Sequence, residues 1–298
     1  KPILIVTFPL PHFWQNWKQN GIKDAVILKS VELAPVIIKN LYYYHSRKNT
    51  QKEFTDYLSV KSRKIISKVI REAKNNSAEQ AFLTSKECHK IFSSLKLPIA
   101  KSKFFKTRKE LIKIASGFKY PCVLKISSRT FTHKSDVGGV ILNILDKKTL
   151  LKSFDELQSR LQKRKLLNSI DEFELQEFFA GDFEVIIGAY RDRTFGPSVL
   201  FGSGGKLVEI IDDKNLRLAP ISINDALAMI EDSKIYPLLR GYRDFEKTDI
   251  KLLAELLVKI SQLIYEFDEI AEIDLNPVMI KGNKIKIVDY RVRILSGS

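Results

Sequence analysis

The chain has 298 residues, of which 44% are hydrophobic and 29% charged, and a formal net charge of +15. That length suggests about two domains with a sizeable core, and the composition is ordinary for a soluble globular protein. Two cysteines, Cys88 and Cys122, exclude a disulfide framework; no apolar run reaches the length of a membrane span, and the opening K-P-I-L-I-V-T-F is too short for a secretory signal.

A reducing cytoplasm is therefore the expected compartment, with no membrane partner. The charge is uneven: residues 1–110 hold 22 Lys/Arg against 8 Asp/Glu, and the remainder 28 against 27. A basic third could meet nucleic acid or an acidic partner domain. Its lysines are spread along helical stretches without a binding motif or interleaved aromatics, so nucleic acid is not an expected partner.

In chain order, Pro2 to Phe8 and Ala25 to Leu28 have the apolar runs of strands, His12 to Gln19 can form a short helix, and Ser30 can cap a helix to about Tyr44. Two parallel strands and two helices cannot cover both faces of a sheet, so residues 1–48 are expected either to dock on a sheet elsewhere or, the favoured reading, to be the C-terminal part of a domain. Residues 49–80 read as a basic connector with one helix, its apolar positions at 60, 65, 66, 69 and 70. Residues 81–298 read as the principal domain.

Within it, Thr84 with Glu87 and Thr107 with Glu110 make two capping boxes, opening helices that end near Leu95 and Gly117. Ile99 to Phe105, Val123 to Ile126 and Val140 to Leu145 are predicted strands, followed by a helix over about Lys148 to Gln162. Strands are predicted at Phe173 to Phe179, Phe183 to Tyr190, Pro197 to Phe201, Leu207 to Ile211 and Leu216 to Leu218. Helices follow at Ile223 to Asp232 and Lys247 to Phe267, and the chain closes with strands at Ile270 to Ile280 and Lys284 to Ile294.

The stretch Tyr120 to Val140 carries the densest chemistry. Lys125 is one lysine in a buried-strand pattern, where an ammonium can hold phosphate as a point charge; Gly138 and Gly139 can let backbone N–H groups approach an anion. His133 can act as proton acceptor or as nucleophile towards phosphorus, or it is a surface histidine before a turn. In E-I-D-L-N-P, Asp274 and Asn276 share a strand face and Asp289 follows in the partner strand. A carboxylate and an amide suffice for Mg²⁺ bound with nucleotide phosphates, although Asp and Asn at strand ends are also common turn residues. Glu177 and Glu184 flank a turn between apolar strands, as a nucleoside pocket or as solvent-facing alternation would require. The loop Phe201-Gly202-Ser203-Gly204-Gly205, with Glu209, matches neither a Rossmann nor a P-loop pattern.

The stretches H-K-S-D-V-G-G-V, G-D-F-E-V-I-I-G-A-Y-R-D-R-T-F-G-P-S-V-L-F-G-S-G-G, R-L-A-P and E-I-D-L-N-P together resemble the ATP-grasp subunit of ADP-forming acyl-CoA synthetases, acetate–CoA ligase included, a family related to the succinyl-CoA synthetase β subunit. The likeness runs from about Leu83 to Leu295, and residues 1–48 are similar to the end of the flavodoxin-like ligase domain that precedes this region in fused members. The resemblance implies a fold of α/β and α+β parts: half of a flavodoxin-like domain, then a two-lobed ATP-grasp domain clamping ATP or ADP with Mg²⁺. It implies that Lys125 holds phosphate, that Gln176, Glu177 and Phe178 form the adenine hinge, that Glu184 reaches ribose, that Asn276 with Asp289 binds Mg²⁺, and that His133 takes part in phosphate relay.

The implied reaction interconverts acyl-CoA, ADP and phosphate with acid, CoA and ATP through an acyl phosphate and a phosphohistidine. The implied partners are CoA-binding and phosphohistidine-bearing domains, upstream in the same chain or in a separate subunit of an oligomer; CoA would bind only there. Where the family has L-L-x-G-x-R-G-x-P-P this chain reads L-L-R-G-Y-R-D-F-E-K, with Asp244 for a glycine and Glu246 and Lys247 for prolines. Arg129-Thr130-Phe131 replaces a Pro-Asp-Ile type of sequence before His133. A second reading is a nucleotide-binding regulatory module, as in fused protein acetyltransferases that retain a similar region without synthetase turnover.

Overall fold

The computed structural model describes residues 4–6, 26–28, 30–48, 55–75, 81–130, 134–205, 213–243 and 245–295. The expected helix at His12 to Gln19, His133, Phe131, Glu209, Asp244 and the whole expected strand at Leu207 to Ile211 lie outside the described residues.

The chain divides into two units, Lys1–Glu53 and Phe54–Ser298. In the first, β1 (Leu4–Val6) pairs in parallel with β2 (Val26–Leu28), and α1 (Leu33–Lys48) follows. The Ser30 hydroxyl accepts from the Glu32 N–H at 3.2 Å just ahead of that helix.

The second unit is built on two mostly antiparallel sheets. The seven-stranded sheet has the order β10 (Lys214–Leu218), β9 (Gly196–Ser203), β8 (Phe183–Asp192), β11 (Ile270–Lys281), β13 (Tyr290–Ile294), β3 (Ala81–Phe82), with β12 (Lys284–Ile287) also on β11. The four-stranded sheet has the order β4 (Ser102–Phe105), β7 (Glu172–Glu177), β5 (Cys122–Ser127), β6 (Val140–Ile144).

Each sheet has its own core. Against the large sheet pack α2 (Val60–Asn75), α3 (Ser85–Ser94), α6 (Ile223–Glu231), α7 (Tyr236–Leu239) and α8 (Ile250–Glu266), burying Ile66, Val69, Ile70, Ile91, Phe92, Phe201 and Leu257 together. The helix α2, placed by the sequence in a connector over 49–80, buries its apolar stripe in this core; helical spacing of its isoleucines dictates that face. Against the small sheet lie α4 (Arg108–Ala115) and α5 (Lys147–Lys163), with the rings of Phe105, Phe154 and Phe173 at centroid separations of 5.0–5.6 Å.

Local signals place the helix starts. Thr84 and Glu87 form both halves of a capping box, whereas at Thr107 the Glu110 carboxylate reaches back to the Lys106 N–H instead. The helix expected from Lys247 begins at Ile250, because Asp249 caps it by accepting from the Leu252 N–H. Two strand expectations are corrected by long-range pairing. The strand expected from Ile99 starts at Ser102, since residues 98–100 bond to Ile287 of the other sheet. The strand expected over Lys284 to Ile294 is two, with Val288 and Asp289 in the gap between them.

Candidate functional site

That gap is set by the opposite strand. β11 carries an extra residue between Leu275 and Val278, where its register against β8 shifts at Asn276-Pro277. The Asn276 N–H donates to the Asp289 carbonyl at 3.2 Å and the Val288 N–H to the Pro277 carbonyl at 3.3 Å, so the bulge and the gap face each other. Asn276 is exposed and Asp289 half-buried beside it.

The same stretch is the seam between the two sheets. The Ile287 N–H donates to the Pro98 carbonyl at 2.9 Å, and the Ala100 N–H to the Ile287 carbonyl at 2.9 Å. From the small sheet, Lys125 Nζ on β5 crosses to the Val288 carbonyl at 2.6 Å and lies 4.0 Å from Asp289 Oδ1. Lys134 Nζ lies 3.1 Å from that oxygen and 3.3 Å from Ser85 Oγ.

Electrostatics follow from this packing. Lys125 is paired in register with Glu174 on β7, and both are almost fully buried. Burial pulls the Lys125 ammonium below its ordinary pKa, offset in part by Asp289 and Glu174. For Lys134 burial acts the same way, but the carboxylates of Asp289 and Glu174 outweigh it and hold the pKa above the usual lysine value. For Asp289 burial pushes upward, and Lys134 with Lys125 overcomes it, keeping the carboxyl below its usual range. Asp289 is thus an ionised oxygen donor on the seam.

The expected nucleoside residues line the end of β7 and the start of β8. Gln176 is buried, its Nε2 donating to Glu174 Oε1 at 3.0 Å and Ser102 Oγ at 3.3 Å. Glu177 Oε1 accepts from Lys286 Nζ at 2.8 Å, so it is an ion-paired residue rather than one facing solvent alone. Phe178 is 36% exposed, with its N–H donating to the Pro121 carbonyl at 3.3 Å. At Glu184 the backbone carbonyl accepts from the Gly204 N–H at 2.7 Å, and a Cβ on Gly205 would stand 3.0 Å from its Oε2. The second glycine-rich loop therefore lies directly on Glu184.

The glycine pair does different work from the anion approach expected of it. Gly138, at φ +67°, donates to the Ser135 carbonyl at 2.9 Å, and Gly139 donates to the Lys134 carbonyl at 2.7 Å. Both amides close a turn. A Cβ on Gly139 would stand 2.4 Å from Ile126 Cδ1, so packing on β5 requires glycine there.

Among the described residues no group of three or more His, Cys, Asp or Glu could hold a metal alone. Asp289 with the Asn276 amide is a donor set of one carboxylate and one neutral oxygen. That fits Mg²⁺ carried by nucleotide phosphates, which needs only one or two protein ligands. Asp274, on the same strand face, is instead engaged with Arg291 at 2.7 Å.

Sequence reasoning missed Glu174 and the anchoring of Arg129. Glu172, Glu174 and Gln176 alternate like a wet face, yet all three are buried under the N-terminus of α3 and the seam. The register partnership of Glu174 with Lys125 was the available signal, and it needs the pairing to be known. Arg129 donates to Glu87 Oε1 at 2.6 Å and lies 3.9 Å from Asp171, tying the end of β5 to the α3 capping box.

A profile of the ATP-grasp domain matches residues 74–294. The chain is 35% identical over 232 residues to the β subunit of ADP-forming acetate–CoA ligase I from Pyrococcus furiosus, covering 78% of this chain and 97% of that subunit. It is 34% identical over 234 residues to the ADP-forming 4-hydroxybutyrate–CoA ligase of Nitrosopumilus maritimus, of which it spans only 33%. A solved structure from Ca. Korarchaeum cryptofilum, a dinucleotide-forming acetyl-coenzyme A synthetase 1 in complex with coenzyme A and Ca-AMPCP, superposes with a TM-score of 0.71 at 38% identity. That superposition covers 76% of this chain and 98% of the other.

Proposed function

This chain belongs to the ATP-grasp domain family, and from that premise we propose that it is the nucleotide-binding and phosphoryl-transfer unit of an ADP-forming acyl-CoA synthetase. The observation that carries the reading is the seam, where Lys125, Lys134, Asp289 and Asn276 converge between two sheets. Phosphoryl transfer asks for positioning and charge more than for covalent chemistry, and a seam carrying two buried ammoniums and one ionised carboxylate supplies both.

In this reading Lys125 holds phosphate, Gln176, Glu177 and Phe178 flank adenine, Glu184 faces ribose, and the turn closed by Gly138 and Gly139 borders the phosphates. Asp289 and Asn276 hold Mg²⁺, which supplies charge neutralisation at the phosphates. His133, one residue before Lys134, is the phosphate carrier on the strength of H-K-S-D-V-G-G-V. ADP, phosphate and an acyl-CoA are converted to ATP, CoA and acid.

The same unit occurs as a separate β subunit and as a third of a longer ligase. We therefore assign the CoA-binding and phosphohistidine-bearing domains to a partner subunit or to another part of the same chain, in a cytoplasmic oligomer. The two relatives differ in acid, acetate against 4-hydroxybutyrate, so acid selection also falls to those domains. Residues 1–48, with their parallel strand pair, are read as the end of a flavodoxin-like domain, residues 49–80 as the passage from it, and residues 81–298 as the ATP-grasp domain. Among the described residues no helix is long and apolar enough to cross a membrane.

The test supplies the chain with a CoA-binding partner subunit and measures ATP formed from acetyl-CoA, ADP and phosphate. Wild type should turn over, and His133→Ala should bind ATP within a few-fold of wild type while making none. Nucleotide binding without any phosphoryl transfer in the complete assembly would transfer the case to the regulatory reading, which the ligase relatives do not favour.

A further inference from the structure

Asp289 meets two ammonium groups at once, Lys134 at 3.1 Å and Lys125 at 4.0 Å. The two lysine side chains are nearly inaccessible, at 10% and 7%, whereas 37% of the Asp289 side chain is open. Glu174 is the second buried anion of the cluster. Two cations and two anions balance in the protein alone. A divalent ion placed on Asp289 without other change sets four positive charges against two negative, inside a region where water screens them poorly. Phosphates arriving with the metal restore the balance.

Lys134 is also the member of the cluster best placed to move. Lys125 sits on a central strand and bonds across the seam to Val288, while Lys134 stands at the start of the turn whose closing bond is its own carbonyl with the Gly139 N–H. Its ammonium has one strong partner, Asp289, and one long bond to Ser85.

We propose that Lys134 is the resident cation of the Asp289 site: it competes with a divalent metal for that carboxylate and yields only when phosphate oxygens arrive to receive its ammonium. The proposal rests on Asp289 being the metal ligand. Its consequence is that metal alone binds weakly and that metal and nucleotide enter as a complex. Lys134 then changes partner from carboxylate to phosphate.

The experiment titrates the full chain with Mn²⁺ alone, a hard oxygen-seeking stand-in for Mg²⁺, and reads free Mn²⁺ by electron paramagnetic resonance. Lys134→Met should bind Mn²⁺ at least about tenfold more tightly than wild type, since an ammonium within 4 Å of the ligand oxygen is removed. Lys134→Gln should do the same if the Met variant folds poorly, and Lys134→Arg, which keeps the charge, should stay weak. For Mg²⁺ with a non-hydrolysable ATP analogue the order reverses, and Lys134→Met should bind several-fold more weakly. Equal Mn²⁺ affinity in wild type and both neutral variants, or no binding in any of them, overturns the proposal. Undiminished Mn²⁺ binding by Asp289→Asn would instead remove the reading of Asp289 as the metal ligand, and the proposal with it.

Discussion

Glu177 is bonded to the backbone of Lys101 twice: its N–H donates to the Lys101 carbonyl at 2.9 Å, and its Oε1 accepts from the Lys101 N–H at 2.9 Å. Burial favours protonation of this carboxyl, but Lys286 and the Lys101 amide outweigh it and depress the pKa. A carboxyl depressed on folding stabilises fully above its unfolded value, about 4.3, and loses that contribution as pH falls through the folded value. Glu177→Gln should therefore be less stable than wild type by about 1 kcal/mol at pH 7, with the gap closing below pH ~4. A melting-temperature gap that stayed constant from neutral to acid would contradict this.

Gly139→Ala places a methyl 2.4 Å from Ile126 Cδ1 and 2.9 Å from the Lys134 carbonyl. Overpacking of this kind costs about 1–3 kcal/mol. Adding Ile126→Ala removes the first clash, so a double-mutant cycle by urea denaturation should give a favourable coupling between the two changes. Simple additivity would mean that the Lys134 carbonyl alone forbids the methyl.

Lys125→Met keeps an apolar stem in a buried strand and deletes the ammonium. Losing one preorganised donor in a phosphoryl-transfer site costs about 2.7–4 kcal/mol of transition-state stabilisation. ATP formation by the complete assembly should fall by two to three orders of magnitude with unchanged circular dichroism. Near-normal turnover would take Lys125 out of the phosphate site.

Both cysteines are buried, and burial pushes the Cys122 thiol up to about 12 and the Cys88 thiol up as well. Thiolate is the reactive form, so iodoacetamide at pH 8 should leave the native protein unlabelled and modify both residues once it is unfolded. Labelling of the native chain, read by mass spectrometry, would show that one of these thiols reaches solvent.

Elements whose cause is local could be read from the sequence. The Thr84 capping box and the isoleucine stripe of α2 depend on residues within a few positions of each other, and they stand where the pattern puts them. Lys125, Asn276 and Asp289 stood out as candidates because their residue types are unusual for their surroundings, and the structure brings them to one seam. What escaped was long-range: the break before Tyr290 answers a bulge in β11, and the late start of β4 answers a bond to Ile287. The burial of Glu174 answers its register with Lys125. The Lys125–Glu174 and Ala100–Ile287 partnerships each span more than thirty positions; the bulge and the gap lie within one hairpin, where the extra residue at Asn276-Pro277 shifts the pairing by one.

Among the described residues the two cores have no member in common: Phe105, Phe154 and Phe173 belong to one, Phe92, Phe201 and Leu257 to the other. What joins them, among the described residues, is mostly polar: backbone hydrogen bonds at Pro98, Ala100 and Ile287, the Ser85 and Lys86 N–H groups on Ser127 and Glu172, charged contacts, and one ring contact between His89 and Phe104. Parting such a junction uncovers little oil, so the small sheet should be able to melt as a cooperative unit while the large one stands. Amide exchange in β5 and β7 would then follow this partial melting, and exchange in α8 the melting of everything. A ligand held from one side by Lys125 and from the other by Asp289 would weld the two into a single unit, and the slower exchange would spread from α8 to β5.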